Sequence, residues 1–470
     1  MLQFFRSPDS LRMVFILLFF VGLRLAALFW GDPPVLKTEF SWILVGEYLN
    51  AGQPLYVGVW ERLEPLAAWV YGALYALFGR EPLGYRLVAL GLGVLHLFLF
   101  QRVFSHPDLF RERTLLPTFL FAILLNAHTE FLLLSPAMLA ITFLLLGLQL
   151  VFSLNEKTTD NTIFRLGIYL GVSALCFTGS LPLLLWGIFS LATFRGTQPR
   201  EYLVLLYGFL FPVLLVGIYL YFQGALGAAF NQLVVRFVSL DQLLALVRSG
   251  VRELGFITLV IIAVALGIFS ILRTPNFFNF QTVRHQSLTI WLLMAVPGTL
   301  ITLEFSIYHT LLFVPVAAFF FTYFLMVNRK RWRMELFFVI YLSATLFFFV
   351  QSMQPLVPLA PYARYTQRKS LSPPPDFSER RVWVLSDDPS YYQNNLPVMP
   401  YLDSRLFVLD FQESQNYADL TQIVEEVLSS RPEIIVDPRR QFSILLRELP
   451  VLKAHYSPNA DSTRWRKKKP

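Results

Sequence analysis

Residues 37–69 read KTEFSWILVGEYLNAGQPLYVGVWERLEPLAAW and lie between two strongly apolar segments. The stretch is too polar to cross a bilayer, which takes about 20 mostly apolar residues, and it is too apolar for an ordinary connecting loop. It carries four glutamates, Glu39, Glu47, Glu61 and Glu64. Acidic side chains are unexpected beside a membrane, so the class of the protein decides how this stretch is interpreted.

The composition predicts an α-helical polytopic membrane protein. Hydrophobic residues make up 55% of the 470-residue chain and charged residues 15%, whereas a soluble globular chain carries about 25% charged residues. The net charge of +8 does not indicate nucleic-acid binding, because the positive residues concentrate in short loops such as RKRWR (329–333), as the positive-inside rule predicts. The single cysteine, Cys176, cannot form an internal disulfide.

Apolar segments of spanning length predict about 11–13 transmembrane helices, some of them short. The first apolar run lacks a signal-peptide cleavage site and is interpreted as a retained transmembrane helix. The candidate spans are 12–30, 65–79, 83–104, 115–134, 134–153, 164–178, 181–195, 202–222, 253–272, 287–303, 306–327 and 335–352.

The orientation follows from Lys and Arg in the short loops. The basic loop 328–334 is predicted to be cytoplasmic, which places 223–252 and everything after the last span outside. One loop conflicts with this count: 101–114 holds Arg102, Arg111 and Arg113, yet a cytoplasmic N-terminus followed by three spans places it outside. Either one apolar segment is really two, or this loop breaks the rule.

The chain changes character after the last span. Residues 353–376 form a Pro-rich stalk, and 377–470 predict a small α/β domain on the outer, periplasmic side of the cell inner membrane. The domain has predicted strands at 381–388, 405–410 and 433–437, predicted helices at 416–430 and 442–449, and a flexible basic end at 464–470.

Three acids in this domain follow predicted strands: Asp387, Asp388 and Asp437. Strand ends are where open α/β sheets bind ligands, but no glycine-rich turn is present to hold a phosphate. The domain is therefore interpreted as a partner-binding unit or a lid rather than a nucleotide-binding domain.

The opening stretch predicts a helix that lies in the membrane interface. Thr38 is placed to cap a helix from Glu39 to Asn50, on which Glu39, Gly46, Glu47 and Asn50 share one face. The acids of 37–69 are either a solvated polar face or part of a functional site. Glu39 is the stronger functional candidate, because it lies at the helix start beside the outer end of the first span.

Arg24 lies inside the first span, about six residues or roughly 9 Å from its outer end. An ionisable residue inside a membrane is a functional candidate, and a guanidinium can grip a phosphate through two hydrogen bonds. The alternatives are a side chain that reaches the interface or a structural ion pair with Asp32 or a glutamate.

Further candidates lie along the rest of the chain. The segment LNAHTEFLLLSP (125–136) interrupts apolar surroundings, and its Asn126, His128 and Glu130 are placed to ring a cavity. Residues 223–252 read as a second interfacial segment, with Arg236 near lipid headgroups or merely docking the membrane. His309 opens a late span, and Arg364 flanks the stalk.

The early region resembles the GT-C superfamily of polytopic glycosyltransferases, which use polyprenyl-phosphate sugars. The resemblance rests on GQPLY (52–56) and EPLAAWVYGALYALFGREPLGYRLVAL (64–90), with Gly52, Tyr56, Pro65-Leu66, Phe78-Gly79 and Arg86-Leu87 matching the family pattern. It covers about the first 150 residues, and the remainder only in architecture. The tail, with YYQNNLPVMPYLDSRLF and RPEIIVD, is similar to uncharacterised Bacteroidota membrane proteins of this kind.

The resemblance implies a transfer of sugar from a polyprenyl-phosphate lipid at the outer membrane face, with a divalent metal such as Mg or Mn as a candidate cofactor. It implies Glu39 as general base and Glu130 as second acid. The residues expected to bind substrate are Arg24, Glu47, Tyr56, Glu64, Arg236, His309 and Arg364.

Two departures from the family pattern keep other functions open. The family's first-loop acid is usually Asp, whereas this chain has Thr38-Glu39, and Ser135-Pro136 stands where a second acid usually opens the span. The alternatives are a catalytically inactive subunit or scaffold that binds a protein partner through its C-terminal domain, and a transporter. Transporters often show matching halves, which this sequence lacks.

Overall fold

The computed structural model describes residues 2–5, 9–31, 33–104, 107–110, 113–155, 158–195, 198–232, 254–273, 279–301, 306–328, 330–353, 370–372, 375–386, 388–402, 407, 417–459 and 463–468. Arg236, Arg364, Asp32 and Asp387 lie outside these residues. So do most of the predicted stalk, the larger part of 223–252 and most of 405–410.

The described residues between 2 and 353 fold into a helical bundle. Its helices are α1 Leu2–Phe5, α2 Ser10–Trp30, α3 Lys37–Asn50, α4 Pro65–Phe78, α5 Pro82–Phe104, α6 Pro107–Phe110, α7 Leu116–Leu125, α8 Pro136–Phe152, α9 Asp160–Cys176, α10 Leu183–Arg195, α11 Pro199–Phe222, α12 Leu226–Phe230, α13 Leu254–Leu272, α14 Asn279–Leu300, α15 Val314–Val327 and α16 Arg331–Met353. Short 3-10 turns stand at Thr129–Leu132, Thr178–Ser180 and Ile307–Phe313.

The predicted membrane class is supported by the length and composition of these helices. Within the described part of the chain, five helices are long and apolar enough to cross a membrane: Ser10–Trp30, Pro82–Phe104, Pro199–Phe222, Ile307–Val327 and Arg331–Met353. Several other apolar helices are shorter, as the sequence predicted.

A C-terminal α/β domain packs on one end of the bundle. It contains β1 Arg381–Val384, β2 Leu396–Pro397, α17 Tyr417–Ser430, β3 Ile434–Val436, α18 Gln441–Glu448, α19 Val451–His455, β4 Tyr456–Pro458 and β5 Arg464–Lys467. The sheet order is β2-β1-β3-β5-β4, with β1 parallel to β2 and β3, and β5 antiparallel to β3 and β4. The predicted strands at 381–388 and 433–437 and both predicted helices are confirmed.

The prediction of a flexible basic end is wrong for Arg464–Lys467. This segment is β5, which lies between β3 and β4 in the sheet. Trp465 is buried in the domain core, while Arg466 and Lys467 are exposed. The basic residues on both sides of Trp465 led to the prediction of a flexible end, although Trp465 itself packs in the core.

The C-terminal domain contacts the bundle through α3 and the loop that follows it. Tyr48 Oη donates to the Met399 carbonyl oxygen (2.6 Å), and the Trp60 amide donates to the Pro400 carbonyl oxygen (2.6 Å). Lys37 forms an ion pair with Asp388 at 3.2 Å. The end of the bundle that carries these contacts is the domain face, and the other end is the opposite face.

Helix α4 starts and finishes at the domain face. Glu64, just before it, accepts a hydrogen bond from the Thr178 amide in the turn after α9. Arg80, just after it, donates to the carbonyl oxygens of Tyr392 and Asn395 in the C-terminal domain. The predicted span at 65–79 is therefore wrong: these 14 residues, about 21 Å long, lie along α3 rather than cross the bundle.

Removing α4 from the count resolves the conflict over the basic loop at 101–114. The chain now passes from α2 directly to α5, which returns it to the opposite face. There the Phe5 carbonyl oxygen accepts from Thr114 Oγ1 (3.0 Å) and from the Leu115 amide (2.9 Å). The N-terminus and Arg113 thus share one face, as the positive-inside rule requires.

Cysteine labelling of a Cys176→Ser background tests this arrangement, because Cys176 is the only cysteine and is buried. We expect Gln53→Cys and Glu81→Cys, both exposed positions flanking α4, to react with a membrane-impermeant maleimide from the same side. We expect Arg113→Cys to react only after the membrane is permeabilised. Labelling of positions 53 and 81 from opposite sides would show that α4 crosses the membrane.

Candidate functional site

Helix α3 lines the domain face, and its polar side packs against α4 and α5. The helix begins at Lys37 with Leu36 as its N-cap and no side-chain capping bond, so the predicted Thr38 cap is wrong. Gly46 permits the close approach of α4, because a Cβ atom there would stand 2.6 Å from the Tyr71 carbonyl oxygen. The face that carries Glu39, Gly46 and Glu47 is thus an internal packing surface, and its interpretation as a solvated face is wrong.

Glu39 forms a closed ion pair with Arg86 of α5. Arg86 Nε donates to Oε1 at 2.8 Å and Nη2 donates to Oε2 at 2.7 Å. The same guanidinium donates to the carbonyl oxygens of Pro33 and Pro34, both at 3.1 Å. Only 1% of Glu39 is exposed, so both of its oxygens are held by a cation away from solvent.

Glu47 is engaged in a similar way by Arg80. Arg80 Nε and Nη2 donate to the two Glu47 oxygens at 2.6 and 2.7 Å. The remaining donors of Arg80 reach the carbonyl oxygens of Tyr392, Gln393 and Asn395. The pair therefore fastens α3 and the α4–α5 turn to the C-terminal domain.

Arg24 is buried in the bundle and binds backbone oxygens. Its Nη2 donates to the carbonyl oxygens of Leu125 (3.1 Å) and Phe131 (2.7 Å), and its Nε donates to Asn126 Oδ1 (2.9 Å). Nη1 donates to the Ala89 carbonyl oxygen at 3.3 Å. Among the described residues Arg24 contacts no carboxylate, and its donors support the non-helical chain between α7 and α8.

The polar segment 125–136 turns back at the domain face, as its Thr129–Leu132 turn indicates. Asn126, His128 and Glu130 are all buried, and Glu130 Oε2 accepts a hydrogen bond from the Tyr308 amide at 3.0 Å. His128 Nδ1 accepts from the Glu130 amide at 3.1 Å. These three side chains are thus buried, while the cavity that they were expected to ring and the role of Glu130 as second acid stay predictions.

Tyr308 contacts several of the elements that carry the candidate site residues. Its ring packs edge-on against Trp42 of α3 (5.4 Å) and against His309 (4.3 Å), and it also contacts Phe177 (6.3 Å). The His309 ring in turn stacks on Phe177 at 5.4 Å. Tyr308 therefore joins α3, the 125–136 segment and the turn after α9 into one region.

Tyr56 shapes the loop between α3 and α4. It is buried and has a φ of 68°, in the left-handed region that strains a residue with a bulky side chain. Its hydroxyl donates to the Leu63 carbonyl oxygen (2.8 Å), and its own carbonyl oxygen accepts from Gln232 Nε2 (3.0 Å). These bonds fix the backbone immediately before Glu64.

Glu64 is a buried carboxyl group with no cation in contact among the described residues. Only 8% of it is exposed, and Oε1 accepts from the Thr178 amide at 2.7 Å. Burial raises the pKa of Glu64 to about 7, although the hydrogen bond from Thr178 partly opposes this shift. One local signal for this residue is visible in the sequence: a glutamate stands immediately before the proline that opens α4.

The described residues do not fit a divalent metal site. No group of three or more His, Cys, Asp or Glu side chains among them is close enough to hold an ion. Both oxygens of Glu39, the acid expected to act as general base, are occupied by Arg86. The predicted Mg or Mn therefore has no ligand set in this part of the chain.

Comparisons with known proteins bear on the fold. No protein-family model and no curated protein matches the chain. The chain is similar to the apo crystal structure of the oligosaccharyltransferase of Archaeoglobus fulgidus, with a TM-score of 0.50 and 10% identity over 95% of this chain and 73% of that chain. It is also similar to the structure of the oligosaccharyltransferase AglB from the same organism in complex with an inhibitory peptide and a dolichol-phosphate (TM-score 0.48, 11% identity, 97% and 74% covered). The predicted GT-C fold is confirmed, and the narrower Bacteroidota resemblance stays a prediction.

The Glu39–Arg86 pair is expected to matter for stability. Arg86→Met leaves a carboxylate buried without a partner, which costs about 3–5 kcal/mol of the free energy of unfolding. The double variant Glu39→Gln/Arg86→Met removes that charge and should recover part of the loss. Denaturant unfolding in detergent micelles measures both.

The exposed ion pair between Arg200 and Asp160 is the matched control, because its side chains are 76% and 45% exposed. Arg200→Met is expected to cost about 1 kcal/mol or less. Equal costs at the two sites would contradict the buried, closed geometry of the Glu39–Arg86 pair.

Glu64 is expected to make stability depend on pH. Its pKa rises from an ordinary value of 4.5 to about 7 on folding, so between these values the folded chain binds more protons than the unfolded chain. The free energy of unfolding should therefore fall as pH rises from 4.5 to 7, by roughly 3 kcal/mol at most, and be level above. Glu64→Gln should abolish this slope and Glu81→Gln, at an exposed position, should preserve it; an unchanged slope in Glu64→Gln would refute the assignment.

Proposed function

We propose that this chain of GT-C fold is a membrane glycosyltransferase, which moves a sugar from a polyprenyl-phosphate donor to an acceptor hydroxyl. The observation that carries the proposal is the assembly at the domain face, where Glu39, Glu64, Glu130 and His309 lie on neighbouring elements around Tyr308. The similarity in fold to an archaeal oligosaccharyltransferase supports the same class of reaction.

The location of this region suits a lipid-linked donor. It lies at the end of an apolar bundle and beneath the C-terminal domain, so an isoprenoid tail can remain in the bilayer while the phosphate and sugar reach the polar layer. The basic residues of 328–334 support a cytoplasmic location for that loop by the positive-inside rule, so we propose that the domain face is the outer, periplasmic side of the inner membrane.

The transfer needs a proton acceptor for the acceptor hydroxyl and positive charge for the phosphate leaving group. Glu39, the base that the family resemblance implies, can act only if Arg86 releases at least one of its oxygens. Arg24 is committed to backbone oxygens, so the phosphate-binding arginines of the proposal are Arg236 and Arg364.

A second candidate function is a non-catalytic membrane subunit that keeps the scaffold. The specific observation in its favour is the closed Glu39–Arg86 pair, which neutralises the first-loop acid. In this alternative the C-terminal domain, held to α3 by Tyr48 and Arg80, presents a surface to a protein partner.

An assay of the purified protein in lipid nanodiscs distinguishes the glycosyltransferase from the non-catalytic subunit. We expect transfer or slow hydrolysis of sugar from a radiolabelled polyprenyl-phosphate donor, measured against the same sugar as a nucleoside diphosphate. Use of the nucleotide sugar but not the lipid donor would overturn the proposal. A stable stoichiometric complex with another envelope protein, without bound lipid or turnover, would favour the scaffold.

A further inference from the structure

Glu64 does not perform the usual task of a polar residue at a helix start. It precedes α4 but makes no capping bond to that helix. Instead its Oε1 accepts from the amide of Thr178, 114 positions along the chain. The hydrogen-bond partners of this carboxyl group among the described residues are neutral donors, chiefly Thr178, and none of them is a cation.

The acids of the domain face differ in what holds them. Glu39 and Glu47 each give both oxygens to an arginine, which stabilises the carboxylate and weakens it as a base. Glu130 accepts from the Tyr308 amide. Glu64 also accepts from a neutral amide and meets no cation among the described residues, and such a carboxylate is a stronger proton acceptor than one paired with an arginine.

The loop before Glu64 is built to hold it in place. Tyr56 adopts a strained left-handed conformation and donates to the Leu63 carbonyl oxygen, which fixes the peptide that joins Leu63 to Glu64. Strain of this kind persists only where surrounding contacts enforce it, and Gln232 supplies one such contact through the Tyr56 carbonyl oxygen.

Gln232 gives an independent sign of a ligand. Its Nε2 is used by Tyr56, but its Oε1 has no hydrogen-bond partner among the described residues although the side chain is only 4% exposed. A buried acceptor without a partner is costly, and the hydroxyl of a bound sugar or acceptor would satisfy it. Gln232 and the peptide before Glu64 are thus both held by Tyr56, the first through its carbonyl oxygen and the second through its hydroxyl.

We propose that Glu64, rather than Glu39, accepts the proton of the attacking acceptor hydroxyl, an inference that rests on the proposed glycosyl transfer. The acceptor oxygen forms a bond to the anomeric carbon while the bond from that carbon to the phosphate oxygen breaks. The bonding electrons leave with the polyprenyl phosphate, and the hydroxyl proton passes to the Glu64 carboxylate, which later returns it to solvent. Glu39 is a positioning residue that holds α3 through Arg86.

The groups that face Glu64 leave it to titrate by itself near neutrality. Tyr56 from the preceding loop and Cys176 from α9 are the titratable groups of the described part that interact with it, and Thr178 supplies the amide. Burial raises the pKa of Tyr56 well above its ordinary value, so its phenol is uncharged where Glu64 ionises. The pKa of about 7 for Glu64 then places the loss of activity in acid at that pH.

The experiment uses the full chain in nanodiscs with a radiolabelled polyprenyl-phosphate sugar. We expect the wild-type kcat to fall below pH 7, and Glu64→Gln to lower kcat about 10²–10⁴-fold and remove this acid limb while the KM for the donor is unchanged. Glu64→Asp should retain a displaced limb. Glu81→Gln is the control for a charge lost at the same face.

The outcomes separate this inference from the proposed function. Absence of any lipid-dependent transfer by the wild type would refute the function itself. Transfer by the wild type without an acid limb near pH 7, or Glu64→Gln with kcat within roughly threefold of the wild type, would refute the role of Glu64 alone. If Glu39→Gln lost kcat with folding intact while Glu64→Gln did not, Glu39 rather than Glu64 would be the general base.

Discussion

The buried ion pair between Arg86 and Glu39 is the contact on which the domain face depends. One guanidinium joins α5 to α3 and also binds two carbonyl oxygens in the non-helical chain after α2. Backbone groups outside a helix need such partners where water is scarce, since an unsatisfied carbonyl costs several times what its hydrogen bond contributes in water. The pair therefore sets the position of α3, and α3 in turn carries the C-terminal domain.

Arg24 and Arg80 stabilise the backbone in the same way as Arg86. Each of them directs a fork of donors at the carbonyl oxygens of an irregular segment, Arg24 at 125–131 and Arg80 at 392–395. An arginine has five donors and no acceptor, so it can satisfy several backbone oxygens at once. These arginines therefore have structural roles, and Glu64, which meets no cation among the described residues, becomes a candidate for proton transfer.

Several features of the fold were predictable because they depend on local pattern. The long apolar helices, α3 and the two main strands of the C-terminal domain follow from hydrophobic periodicity. The predictions were wrong where contacts with other parts of the chain, rather than the local sequence, determined the structure. Helix α4 lies along α3 although it is apolar enough to suggest a span, and β5 is a strand because Trp465 packs in a core that distant residues build. The Thr38 cap failed because the helix starts at Lys37 behind Leu36, which pairs with Ser370.

The sequence by itself determined the membrane class, the order of helices, the GT-C fold and the set of acids near the domain face, because each depends on composition, spacing or a local motif. Only the tertiary structure decided which of these acids is neutralised and which is available. That outcome depends on contacts between residues far apart in the chain: Arg86 lies 47 positions from Glu39, and Thr178 lies 114 positions from Glu64. The basicity of a buried carboxylate is set by the charges and donors that surround it, and no local pattern records them.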